Sequence, residues 1–396
     1  MSADAPPIRL LVFTTLFPNR EQPNHGVFVL NRLRHLLAGG GVEATVVAPV
    51  PWFPSGSARF GAWARYARVP AEERIEGLSV HHPRYAVIPR VGMNAAPALL
   101  YAAGLRCLRR LRAGGLRFDA IDAHYAYPDG VAAVRIGRAL GCPVVVTARG
   151  TDVNLIPRYP RPRRLIREAL TQAAGVVAVS AALKAAIVDL GIAPARVRVL
   201  RNGVDLAMFR PMDRAAARAA LGLDRPTLIS VGHLIERKGH HRVIEAMAAL
   251  PDMALLIAGE GPERAPLEAL IARLGLGDRV RLLGARAHED LPELYTAADA
   301  LVLASTREGW ANVLLEAMAC GTPVVASDAW GNPEVVQERA AGVIAPSNTP
   351  EGLAAGVRDL LGDPPSRAAT RAYAERFGWE ETTAGQMALF REVLGR

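Results

Sequence analysis

The stretch "ALVLASTREGWANVLLEAMACGTPVVAS", residues 300–327, decides how the rest of the chain is read. It opens on an apolar run of strand length and passes through a polar loop. It then enters "NVLLEAMACG", whose apolar spacing is that of a helix, with Asn312 as candidate N-cap and Gly321 as its stop. Pro323 opens a second strand, "PVVAS". Such a unit points a loop and a helix N-terminus at whatever lies beyond the carboxyl end of the strand. Two acids stand there, Glu308 in the loop and Glu316 on the helix.

The same alternation runs from end to end. The first half reads as strands at "IRLLVFTT", "EATVVAP", "DAIDAH", "PVVVTARG", "GVVAVS" and "VRVLRNG". The second half reads as strands at "TLISVG", "MALLIAG", "VRLLG", "ALVLAS", "PVVAS" and "GVIAP", with helix-length segments between them. Strands alternating with helices predict parallel sheets covered on both faces, an α/β fold of doubly wound, Rossmann-like domains. A chain of 396 residues exceeds one ordinary core. The turn and proline-marked crossing in "RNGVDLAMFRPMDRAAA" set the boundary, giving domains at 1–205 and 206–375. The amphipathic tail, 376–396, is left to pack back across that boundary. Ligands of doubly wound sheets bind beyond the carboxyl ends of the strands. There the sequence places "TTLFPNREQPNHGVF", His124 and "ARGTD" in the first half, and "VGHLIERKG", "AGEGPE" and "STREGWAN" in the second. Facing domains would line one cleft with both sets.

The formal charge is +9, but only Lys184 and Lys238 are lysines, so the basic character is almost wholly arginine. No nucleic-acid-binding motif or basic tail accompanies it, which argues against a nucleic-acid partner. Arginine concentrates in "LRCLRRLRAGGLRF" and "RYPRPRRLIREAL", where basic and apolar residues alternate at helical spacing. Either solvated helix faces or contact with an anionic membrane fits that pattern. Three scattered cysteines, Cys107, Cys142 and Cys320, give neither a metal spacing nor a disulfide framework. With no signal pattern before the first strand and no apolar run long enough to span a bilayer, the expectation is a cytoplasmic protein. It is soluble or peripheral at the cytoplasmic face of the inner membrane.

Singly, the candidate site residues are ordinary. Gly259 and Gly261 allow a close backbone approach but also serve plain turns, and Lys238 with Arg237 equally describes solvated surface. As one set they fit a nucleotide sugar. The helix N-terminus at Asn312, Val313 and Leu314, with a cation, suits the diphosphate. A helix carboxylate suits vicinal ribose hydroxyls and a loop carboxylate suits the sugar.

The block "AADALVLASTREGWANVLLEAMACGTPVVASDAWGNPEVV" resembles the most characteristic region of glycosyltransferase family 4, the "glycosyl transferases group 1" domain with its E-x7-E element. "VLRNGVDLAMFRP", "VGHLIERKG", "IAGEGPE" and "LLGARAHEDLPELYTAAD" follow in that family's order. "HYAYPDGVAAVRIGRALGCPVVVTARGTDVN" is similar to its polysaccharide-assembly members, including the teichuronic-acid type. The resemblance implies the GT-B fold, two facing domains with the donor in the C-terminal one and the acceptor in the N-terminal one. It also implies transfer from a nucleotide-diphosphate sugar with retention, without metal or cofactor. By position, Glu308 contacts the donor sugar, Glu316 the ribose, and Lys238 with Arg237 the diphosphate. Gly232, His233, Gly259 and Gly261 complete the donor loops, and Gly26 lets the first loop approach the transferred sugar. His124 lies near the reacting sugar, with His25, Arg149 and Asp152 on the acceptor side. His233 stands where the family usually has arginine, and Arg149 where many members have histidine, so the clamp would lean on Lys238, Arg237 or Arg149. The implied acceptor is a saccharide, free or polyprenol-linked, in cell-surface or exopolysaccharide synthesis. The competing expectation is a sugar-nucleotide 2-epimerase of similar fold, which would need no acceptor.

Overall fold

A computed structural model describes residues 6–87 and 92–396. Contacts divide the chain into two units: residues up to Arg201 together with Glu380–Arg396, and Asn202–Trp379.

The first unit is built on an eight-stranded sheet of β1 (Ile8–Phe13), β2 (Val42–Val47), β3 (Glu72–Ile75), β4 (Leu78–His81), β5 (Ala120–His124), β6 (Val144–Ala148), β7 (Gly175–Ala178) and β8 (Val197–Val199). Its order is β8-β7-β6-β5-β1-β2-β4-β3. All pairings are parallel except β3 with β4. That antiparallel edge is an addition to the expected strands. Its turn runs through Glu76 and Gly77, both at positive φ, as a two-residue hairpin requires. β5, β6 and β7 are buried along their whole length, so they read as unbroken apolar runs. The C-terminal helix Glu380–Leu394 places Leu389 and Phe390 in the first unit's core with Leu10, Val145 and Val177.

The second unit carries β9 (Thr227–Val231), β10 (Ala254–Ala258), β11 (Val280–Gly284), β12 (Ala300–Leu303), β13 (Val324–Ala326) and β14 (Gly342–Ile344). Every pairing is parallel, in the order β11-β10-β9-β12-β13-β14. The chain therefore leaves β9 towards β10 on one side and returns to β12 on the other. Neighbouring loops diverge at such a switch point and leave room for a ligand. In the first unit the corresponding place lies between β1 and β5.

Candidate active site

In the second unit the switch point brings the loops after β9 and β12 together. Lys238 Nζ lies 2.6 Å from Glu308 Oε1, although the two residues are 70 positions apart. Ser305 Oγ donates to the same oxygen at 2.7 Å, and Arg237 Nη1 lies 3.9 Å from Oε2 while donating to the Arg307 carbonyl. Burial alone would push the Glu308 carboxyl up. The Lys238 ammonium, helped by Arg237 and Ser305, outweighs it and holds the group below the usual carboxylate range. A buried, ionised carboxylate and a cation thus stand at the mouth of the sheet.

The helix that follows runs Asn312–Ala319 and is capped by Ala311, so Asn312 is its first residue and not its N-cap. The Asn312 side-chain oxygen instead accepts from Asn202 Nδ2 at 3.2 Å. Gly321 stops the helix at positive φ, as expected. The N–H of Leu314 already donates to the Ala311 carbonyl and its side chain is buried, which leaves the N–H groups of Asn312 and Val313 at the open end. Glu316, one turn further on, accepts from Tyr295 Oη at 3.0 Å and lies 3.2 Å from His288 Nε2. Phe209 packs edge-on against the His288 ring at 5.0 Å. Tyr295 and His288 were missed in the sequence, because nothing in their spacing announces the contact.

Gly259 and Gly261 make room for neighbouring backbone. A Cβ on Gly259 would lie 1.9 Å from the Gly232 carbonyl oxygen, and one on Gly261 would lie 2.3 Å from that of Leu234. The close approach they permit is therefore between the loops after β9 and β10, backbone against backbone. His233 sits exposed on this seam, its Nδ1 3.2 Å from the Glu260 carbonyl oxygen. Gly26 repeats the pattern in the first unit, where a Cβ would meet the Leu16 carbonyl group at 2.3 Å and φ is +69°.

The first unit gathers a buried polar network at the ends of β5 and β6. Arg149 Nη2 donates to His124 Nδ1 at 2.7 Å, and His124 Nε2 lies 3.3 Å from Asp122 Oδ2. A guanidinium only donates, so Nδ1 must accept and the ring proton sits on Nε2, facing Asp122. Burial pushes the imidazole down further than Asp122 pulls it up, which keeps His124 neutral. Asp122 was missed, although its place two residues before His124 puts both on one face of β5. Burial, then Arg32, pushes the Arg149 guanidinium down to about 9, still charged at neutral pH. Asp152 is buried and ties down the adjoining turns by accepting from the N–H groups of Ala126, Arg149 and Gly150. His25 lines a cavity of about 200 Å³ with Thr15, Asn19, Gln22, Tyr66 and Tyr85. Its Nε2 lies 3.0 Å from the Thr15 carbonyl oxygen.

Residues 25–208 match the family described as Glycosyltransferase Family 4, and residues 213–377 match Glycosyl transferases group 1. The D-inositol 3-phosphate glycosyltransferase of Segniliparus rotundus is 40% identical over 215 residues, which cover 51% of this chain and 48% of that protein. Its counterpart in Mycobacterium tuberculosis is 38% identical over 220 residues, covering 52% and 45%. The matched part thus spans about half the length of these curated relatives. Among solved structures, sucrose-phosphate synthase from Thermosynechococcus elongatus superposes with a TM-score of 0.79 at 22% identity, covering 98% of this chain and 99% of that one. Anabaena HepE in complex with UDP and glucose gives 0.73 at 22%, covering 97% and 99%. At that identity the likeness shows the fold, two Rossmann-like units of GT-B type.

Proposed function

Because this chain belongs to glycosyltransferase family 4, we propose that it moves a sugar from a nucleoside-diphosphate sugar to a saccharide or lipid-linked acceptor, with retention and without metal, in surface-polysaccharide assembly. The observation that carries this reading is the buried, ionised Glu308 held on Lys238 beyond β12, eight residues before Glu316 on the adjoining helix. The UDP and UDP-glucose complexes of the structurally similar HepE support a donor of this class.

Glu316 takes the ribose hydroxyls. Lys238, Arg237 and the N–H groups of Asn312 and Val313 take the diphosphate. Glu308 takes hydroxyls of the transferred sugar. The C1–O bond to the diphosphate breaks as the acceptor oxygen bonds to C1 on the same face, and the acceptor proton passes to the departing phosphate oxygen. The chain's contribution is to hold these groups in place and neutralise the charge that develops on the leaving group. His124 has both ring nitrogens engaged, so it orients the turn beside it and transfers no proton. The 200 Å³ cavity at His25 has the size of one sugar residue and offers amide, imidazole and phenol groups to the acceptor. The arginine faces of helices Ala96–Ala113 and Pro160–Gln172 supply a salt-sensitive attraction to anionic lipid, since their apolar faces are buried.

Thermal shift against a panel of nucleotide sugars tests the donor, because a specific ligand raises Tm by mass action. One donor should stand out, and its nucleoside diphosphate should stabilise as well. No shift with any donor would remove the reading. Conversion of a donor in the absence of acceptor would favour an epimerase.

A further inference from the structure

Five of the eight large hydrophobic residues exposed among the described residues fall between Trp52 and Met93, so the exposure is concentrated and not scattered. At its centre is "WFPSGSARFGAWARYAR", residues 52–68, which holds five aromatic residues, three arginines and no acid. Trp52 is 58% exposed, Trp63 42% and Phe60 38%. The rings form a continuous group: Phe53 lies 5.4 Å from Phe60 and 6.0 Å from Trp63, and Trp63 lies 5.7 Å from Tyr66. The Arg59 guanidinium stands 4.7 Å over the Phe60 ring, and that of Arg65 5.8 Å over Tyr66. Arg68 anchors the segment from behind, pairing with Glu21 and donating to the Gly56 carbonyl.

Three aromatic residues turned to solvent cost free energy unless something covers them. The nearby polar groups are few: within 52–63 the only hydroxyls are Ser55 and Ser57, and Ser55 Oγ already accepts from the Ser57 N–H. A sugar would find rings but almost no hydrogen-bond partners here. Aromatic residues interleaved with arginine and free of acids match instead the boundary of an anionic bilayer, where indole rings settle among headgroups and guanidinium groups meet phosphate. We propose that residues 52–65 of the first unit seat the protein on an anionic lipid surface by inserting Trp52, Phe60 and Trp63. The helix Ala64–Arg68 that closes this stretch carries Tyr66, which lines the 200 Å³ cavity assigned above to the acceptor. An acceptor head group held in that cavity would thus have its lipid anchor beside the inserted rings. This deepens the lipid-linked part of the proposed function, and transfer to a soluble acceptor tests that function separately.

The experiment uses the whole chain with vesicles of phosphatidylcholine, with and without phosphatidylglycerol, some carrying brominated acyl chains. Wild type should sediment with the anionic vesicles, and brominated lipid should quench its tryptophan emission. Of the five tryptophans Trp310 and Trp379 are buried and Trp330 is half-buried in the second unit, so the quenching that is lost on replacing Trp52 and Trp63 is the signal of the inserted rings. Trp52→Ala with Trp63→Ala should lower the partition coefficient about tenfold or more and abolish most of the quenching. Arg59→Gln with Arg65→Gln should weaken binding several-fold, and only to the anionic vesicles. Trp52→Ala alone, at the most exposed position, guards against misfolding and should still lower binding. Vesicle binding that ignores these changes, or no binding to anionic vesicles, overturns the proposal. So does a lipid-free dimer that Trp52→Ala converts to monomer, which would make the patch an interface between copies.

Discussion

Glu308 gains its charge from Lys238, and the two residues should fail together. Lys238→Ala leaves a carboxylate that is 8% exposed with only Ser305 and a distant Arg237, and should cost about 2–4 kcal/mol in urea unfolding. Adding Glu308→Gln should return at least half of the loss, whereas additive losses would show that the pair is not coupled. The folded carboxyl titrates below its ordinary value, so its contribution is present above about pH 5 and is lost as pH falls through the lowered value. The two acids should also differ in kind during turnover. Contacts to ribose act alike in ground and transition states, so Glu316→Gln should raise the donor KM and weaken nucleoside diphosphate binding. Contacts at the reacting sugar strengthen as charge develops, so Glu308→Gln should mainly lower kcat. Each effect should be about ten- to a hundredfold. Calorimetry with nucleoside diphosphate separates them, and equal weakening in both variants would refute the division.

Among the elements, the turn Ala126–Gly130 after β5 binds the two central strands of the first sheet together. Its Asp129 accepts from the Thr15 N–H at 2.7 Å and from the Thr15 hydroxyl at 2.9 Å, fixing the loop that leads to His25 and Gly26. Burial pushes this carboxyl up to about 7. The folded state therefore holds a proton that the unfolded chain releases near pH 4, so stability from this group is full below about pH 4 and falls until about pH 7. The span corresponds to roughly 4 kcal/mol. Asp129→Asn should remove that slope, and parallel stability curves for wild type and variant between pH 4 and 8 would contradict it. Asp129 was not singled out from the sequence, since it sits in an ordinary-looking "PDG" and gains meaning only from a partner 114 residues away. The strand–loop–helix units were legible because buried parallel strands are short unbroken apolar runs. The β3–β4 hairpin was not read, because β3 is charged and at least half exposed along its length and β4, though mostly buried, is only four residues long. The second-unit glycines were legible as a close approach, but only the structure shows that neighbouring backbone is what approaches.

Across the whole molecule, the sequence carried Glu308, Lys238 and Glu316 to the site because each follows a strand, and topology decides which strands adjoin. What it did not carry were contacts made across the fold, such as Tyr295 and His288 on Glu316 or Arg149 on His124. No spacing rule links residues brought together by tertiary packing. Among the described residues no helix is long and apolar enough to cross a membrane. Transfer in which cationic side chains and helix N–H groups neutralise the leaving diphosphate can be followed in an NMR time course of the intact protein with its donor, a saccharide acceptor and excess chelator. Nucleoside diphosphate and a new glycoside should appear one for one, with the donor's anomeric configuration kept and no reaction without acceptor. An inverted product, a donor altered without acceptor, or activity that returns only when divalent metal is restored would contradict transfer of this kind.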